Sequence, residues 1–217
     1  MDAKNKVGLL IISIALATVA IFSFPYIFPS EKDKYTEEPV IKEVGSLDST
    51  GKKHGIWKGY YQNGKISYEG LYKNGFREEE WKFYNAVGQL IKIETYKNGL
   101  KNGNVLVYDD GKLYNEIPYV NGKKEGKHVH YNKNGTINYI QEYKNDSMDG
   151  EFAIYTSEGI LTQKGRLKNA RNVGTWFMYN DNGTLTEINI YDSLSNTYRV
   201  IKFGSNQDTL SDEVLKY

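Results

Sequence analysis

An all-β fold of stacked hairpins is what this 217-residue chain predicts, and three observations predict it. A segment of about two dozen residues recurs six times between Gly51 and Tyr191, a period that marks stacked supersecondary units. Asn-Gly and Asp-Gly pairs punctuate that segment at regular intervals, between runs of alternating polarity. The composition holds 19 Tyr and 21 Gly against 4 Pro, and aromatic residues suit pleated surfaces while Gly suits turns.

The first 29 residues stand apart from the rest. From Val7 to Phe28 the chain is apolar throughout, long enough as a helix to cross a hydrocarbon core of about 30 Å. Lys4 and Lys6 precede it and mixed charges follow, which favours an N-terminus inside and the repeats outside the cytoplasm. Residues 1–29 are therefore expected to form one N-terminal transmembrane helix or signal anchor. Cleavage as a signal peptide is the alternative, which would leave the repeats secreted into the same compartment. Residues 30–50 carry mixed charge and read as a tether, in which Val40, Ile41, Val44 and Leu47 have the makings of a first strand over the sheet edge.

Residues 51–191 hold the six copies. Each opens on a Gly-type position, at Gly55, Glu79, Gly103, Gly126, Gly150 and Gly174, spaced by 24, 24, 23, 24 and 24 residues. A first tyrosine follows without exception, at Tyr60, Tyr84, Tyr108, Tyr131, Tyr155 and Tyr179. After a turn come Ile66, Leu90, Leu113, Ile137, Leu161 and Leu185, and six residues beyond these stand Tyr72, Tyr96, Tyr119, Tyr143, Leu167 and Tyr191. Asn63-Gly64, Asp110-Gly111, Asn134-Gly135 and Asn182-Gly183 turn the chain within a hairpin, where Asn and Gly supply positive φ without strain. Asn74-Gly75, Asn98-Gly99 and Asn121-Gly122 join one hairpin to the next. The product is a single twisted antiparallel meander of about twelve strands, some 55–60 Å long at about 4.8 Å per strand. A lone hairpin is marginal in water, so neighbouring repeats must supply most of the stability. Residues 192–217 are expected to cap the array, with Tyr198–Phe203 as a capping strand.

Alternation separates two faces. One carries Trp57, Trp81, Val105, His128, Phe152 and Trp176, and is the more apolar and the better candidate for burial. The other carries the first-tyrosine ladder, whose residues have an apolar body and a polar tip.

Chemistry is thinly represented. Net charge is +1 with Lys and Glu interspersed, so no nucleic-acid partner is expected. There is no Cys, which removes disulfides and thiolate metal sites. His128 and His130 would share one strand face, a candidate ligand pair, but neighbouring copies carry Trp81 and Phe83 there, so the imidazoles read as packing. They also make the fourth repeat a candidate for pH sensitivity. No metal or cofactor is expected. Neither a Gly-x-Ser-x-Gly nucleophile turn nor a phosphate cradle occurs. Glu78-Glu79-Glu80 reads as a solvated run, and Glu69, Glu94, Glu116 and Glu142 as a solvent-facing ladder beside Lys. No catalytic residue is assigned and the chain is read as not an enzyme.

Gly55-Ile56-Trp57-Lys58-Gly59-Tyr60 with Asn63-Gly64, and Gly174-Thr175-Trp176-Phe177-Met178-Tyr179 with Asn182-Gly183, resemble the MORN repeat (membrane occupation and recognition nexus). More closely, the chain resembles the bacterial MORN-variant proteins often labelled antitoxin components of toxin–antitoxin systems. The resemblance spans residues 51–191 and departs at Glu79, His128 and Leu167. It implies a β-hairpin array used for protein contacts, with proposed lipid contacts in some eukaryotic members. The antitoxin label implies a cytoplasmic partner, at odds with an exported array.

The expected function is a non-enzymatic, membrane-tethered module that binds a partner protein or a second copy of itself through Tyr60, Tyr84, Tyr108, Tyr131, Tyr155 and Tyr179. Cell-wall glycan stacking on exposed Trp and Tyr is one alternative. Membrane-lipid binding through Lys52, Lys53, Lys58 and Lys65, or through Lys123, Lys124 and Lys127, is another.

Overall fold

The computed structural model describes residues 40–192 and 197–216. The expected transmembrane helix at 1–29 and tether residues 30–39 lie outside the described residues. No described helix is long and apolar enough to cross a membrane.

The described chain is one open antiparallel sheet of 16 strands. An edge strand, β1 (Lys42–Leu47), pairs with the first of seven consecutive hairpins. These are β2 (Lys53–Tyr60) with β3 (Ile66–Lys73), β4 (Phe76–Tyr84) with β5 (Leu90–Lys97), and β6 (Leu100–Asp109) with β7 (Lys112–Val120). The two-residue β8 (Lys123–Lys124) pairs with β7 and leads into β9 (Gly126–Tyr131) and β10 (Ile137–Lys144). Then follow β11 (Ser147–Tyr155) with β12 (Leu161–Lys168), β13 (Arg171–Tyr179) with β14 (Leu185–Asp192), and β15 (Thr197–Phe203) with β16 (Thr209–Lys216). Strand order follows chain order, so each hairpin packs only on its neighbours in sequence.

The array is longer than the six-copy reading. Val200, 24 residues beyond Trp176, is buried in the tryptophan position, and Phe203 stands 24 beyond Tyr179 in the tyrosine position. The segment read as a cap thus contains a seventh hairpin. Its divergence from the Gly-Trp-Tyr pattern hid it.

The turns fall into two kinds. Between hairpins, Asn74-Gly75, Asn98-Gly99 and Asn121-Gly122 hold both residues at positive φ, as does Asp110-Gly111 inside the third hairpin; this is the type I′ geometry that matches strand twist. Inside most other hairpins only the Gly is left-handed. Gly64 donates its N–H to the Tyr61 carbonyl while Tyr61 donates to the Lys65 carbonyl, closing a longer loop than the Asn-Gly pair suggests. Asn63 there serves through its side chain, accepting from the Lys65 N–H.

Burial follows the predicted face. Trp81 and Trp176 are fully buried although the described residues form no second layer over them. Each of the three indoles lies against a glycine of the preceding strand, Trp57 on Gly45, Trp81 on Gly70 and Trp176 on Gly165, where a Cβ would clash with the ring carbons. A register shift at each of those glycines turns a carbonyl toward the indole. Trp57 Nε1 accordingly donates to the Ser46 carbonyl at 3.1 Å, Trp81 to Leu71 and Trp176 to Arg166, each at 3.2 Å. The glycine removes bulk and the bulge supplies the acceptor. Together they let a single sheet bury an indole completely. Two clusters result: Trp57, Trp81 and Tyr96 toward one end, Phe152, Leu167 and Trp176 toward the other. Leu167, a departure from the tyrosine pattern, fills the second of these.

Candidate functional site

The first-tyrosine ladder lies on the face opposite the indoles, and all six tyrosines are half-buried. Across each hairpin they pair with the aliphatic ladder: Tyr60 with Ile66, Tyr84 with Leu90, Tyr108 with Leu113, Tyr131 with Ile137, Tyr155 with Leu161 and Tyr179 with Leu185. The face thus carries one rung of alternating aromatic and aliphatic side chains.

A second rung on this face, two positions along the strands, was not singled out from sequence. It starts with Lys58, Glu69 and Lys82, each paired across the sheet with the next. Ile93, Leu106 and Glu116 continue it, then Val129, Ile140 and Ala153. Lys164, Phe177 and Ile188 follow, and Ile201 and Asp212 close it. Its ends are charged and its middle is largely aliphatic. No motif marks this rung, because its members lie in different repeats and align only through strand register.

Hydroxyls tie the two rungs together in some copies. Tyr84 Oη donates to Glu69 Oε1 at 2.9 Å, and Lys58 Nζ sits 3.0 Å from Glu69 Oε2. Lys58 holds the Glu69 carboxyl below its ordinary range, and burial with the Glu69 charge pushes the Tyr84 phenol up to about 12. Tyr131 donates to Glu116 Oε2 at 3.3 Å and is raised by burial and that carboxylate. Lys127 reaches over β10 to Glu151 at 2.9 Å.

The acidic ladder expected from sequence divides between the faces. Glu69 and Glu116 lie on the tyrosine face, whereas Glu94 lies on the indole face and is buried. There Lys101 (2.8 Å), Lys92 (3.3 Å) and the Tyr96 hydroxyl (2.6 Å) surround its carboxylate. Burial pushes Glu94 up, but Lys101 and Lys92 outweigh it and hold the carboxyl low. The Lys groups considered for lipid divide likewise. Lys53 lies over the Trp57 ring at 4.1 Å and pairs with Glu43, Lys58 pairs with Glu69 on the other face, and Lys65 donates to the Val87 carbonyl. Lys124 lies over Tyr143 and Lys127 is spent on Glu151.

His128 and His130 occupy the indole face. Both rings meet Asn115 Oδ1, His128 through Nε2 at 2.9 Å and His130 through Nδ1 at 3.0 Å. Tyr139 stacks on His130, their centroids 4.8 Å apart. His128 is 7% exposed, and its Nδ1 and the facing Gln141 Oε1 are buried without a protein partner. Burial, with the Lys124 and His130 charges, drives the His128 pKa down to about 3. Among the described residues no group of three or more His, Cys, Asp or Glu is placed to hold a metal ion. A depression of about 100 Å³ beside Asp109, Lys112 and Lys133 is small against the 300–1,000 Å³ typical of ligand pockets.

The MORN repeat variant family model matches residues 53–74, 80–98 and 124–145. Those segments are the first hairpin, most of the second, and the fourth with its β8 lead-in. No curated protein matches the chain.

Proposed function

We propose that this chain is a non-enzymatic, membrane-tethered repeat module that docks a protein along its tyrosine-bearing face. The observation that carries the reading is the pair of adjoining rungs on that face, aromatic–aliphatic and aliphatic, with no described segment packed over them. Tyr and aliphatic side chains in such strips provide contact area with little rotamer freedom to lose, which is what interface centres use. A MORN-type array is a repeat module commonly engaged in protein or membrane interaction, and the chemistry of the face favours the former. Lysines that would meet an anionic bilayer are divided between faces and mostly paired. Sugar stacking on Trp57, Trp81 or Trp176 has no ring to use, since all three are buried. Tethering by residues 1–29, with the array outside the cytoplasm, belongs to this proposal. The antitoxin label stands behind it, as it requires a cytoplasmic partner.

Affinity capture from native envelope extract on the full chain tests the reading. A stoichiometric protein should be retained by the wild type and lost from the Tyr84→Ala/Tyr108→Ala/Tyr131→Ala variant, with strand circular dichroism unchanged. Equal retention by both would remove the tyrosine face from the site.

A further inference from the structure

We infer that the tyrosine-bearing face docks a second copy of the chain, the two sheets facing each other across a two-fold axis that runs along β10. The inference rests on the docking reading above and names the partner.

The second rung carries it. A two-fold axis along a strand reverses the order of strands while keeping rung against rung, so a side chain n strands before β10 meets the one n strands after it in the other copy. Applied to this rung, Ile140 meets itself and Val129 meets Ala153. Leu106 meets Phe177 and Ile93 meets Ile188. Within β5 to β14 the remaining pair is Glu116 with Lys164, opposite in charge. Farther out the same axis would set Lys82 on Ile201 and Glu69 on Asp212, so the contact ends at Ile93 and Ile188. Glu116 takes hydrogen bonds from Asn104 and Tyr131 but has no cation among its described contacts, and Lys164 lies over the Phe177 ring with no carboxylate among its own. Neither charge meets an opposite charge among the described residues.

Neighbouring axes fail. An axis along β9 sets Glu116 on Ile140 and Lys164 on Ile93, and one along β11 sets Lys164 on Ile140 and Glu116 on Ile188. Both strand a charge on an apolar group. An axis running with the rung sets Glu116 on Glu116 and Lys164 on Lys164. The axis along β10 also lies in the fourth of seven hairpins, so it brings second strands onto second strands, Leu113 onto Leu161, and first onto first, Tyr108 onto Tyr179.

The contact is large enough. Nine strands, β5 to β14 without β8, at about 4.8 Å each and five residues at about 3.4 Å each cover about 730 Å² per copy, within the range of standard interfaces. Facing sheets pack about 10 Å apart, which lets Glu116 and Lys164 meet.

Sedimentation velocity of the full chain, in one detergent throughout, tests this. The wild type should be a dimer. Glu116→Lys and Lys164→Glu should each raise the dissociation constant about tenfold or more, and the double swap should return it to within about threefold of the wild type. The chain has no cysteine, so Ile140→Cys should be joined into a covalent dimer by a short bis-maleimide cross-linker, whose spacer reaches across facing sheets, while Lys202→Cys, on the indole face, should not. A monomer at every concentration, or a double swap as weak as the singles, overturns the inference. A monomer that still captures another protein through the three tyrosines leaves the docking reading standing and removes only self-docking; a monomer that captures nothing removes both.

Discussion

Glu79 opens the second repeat where the other five of the first six copies have glycine, and its backbone keeps the left-handed φ of +57° that Gly55 (+74°) and Gly174 (+65°) show. An L side chain held there costs about 1–2 kcal/mol, because Cβ approaches the following carbonyl oxygen. Glycine removes that clash but enlarges the freedom of the unfolded chain, so only part returns. Glu79→Gly should therefore stabilise the protein by about 1 kcal/mol, read as a higher urea midpoint at unchanged slope. A lower midpoint would show that the Glu79 side chain contributes more than its backbone strain removes. Ala170 and Asp146, at +60° and +67°, are strained for the same reason in turns where earlier copies place Gly.

At the scale of the element, the fourth hairpin is the one built on polar groups. Where the second copy packs Trp81 and Phe83, this one packs His128 and His130 around Asn115, and Gln141 lies across from His128. His128 titrates near 6.5 in the unfolded chain and near 3 in the folded one, so between those values the unfolded chain binds the extra proton. This group's contribution is thus complete above pH 6.5 and falls as pH drops toward 3. At pH 5.5 the loss relative to pH 8 is about 1.4 kcal/mol from this residue alone. Chemical unfolding of the wild type and His128→Phe at the two pH values measures it. The wild type should lose about 1.4 kcal/mol more than the variant on acidification, and equal losses would place the titrating group elsewhere.

For the whole molecule, stability is a sum of hairpins and the interfaces between neighbours, because strand order never departs from chain order. Ending the chain before Thr197 removes the seventh hairpin and uncovers β14, but leaves the Phe152, Leu167 and Trp176 cluster whole. The truncated chain should unfold cooperatively with a urea slope smaller by roughly one-seventh, in proportion to surface lost. Collapse of the entire transition would mean that β15 and β16 hold more than their own share. The two edges of the sheet differ: β1 is exposed at every residue, and β16 carries Asp212, Glu213 and Lys216. Charge on β16 opposes added strands, whereas β1 owes its place to Gly45 seating Trp57.

The sequence by itself determined the repeat, its period and the alternation that sends indoles to one face and first tyrosines to the other. Those are local properties: turn chemistry at Asn-Gly and Asp-Gly pairs, and a side-chain period of two. It missed the seventh hairpin, whose Val200 and Phe203 keep the spacing of Trp176 and Tyr179 but not their identity. It also grouped Glu94 with Glu69 and Glu116, although a residue's face depends on where each register shift falls. Only the tertiary structure decided that the indoles rest on glycines of the strand before, that Asn115 joins His128 to His130, and that Ile93, Leu106, Ile140, Phe177 and Ile188 form one rung. Each of these pairs residues from separate strands, and strand register, fixed by bulges and by what must be buried, sets them side by side.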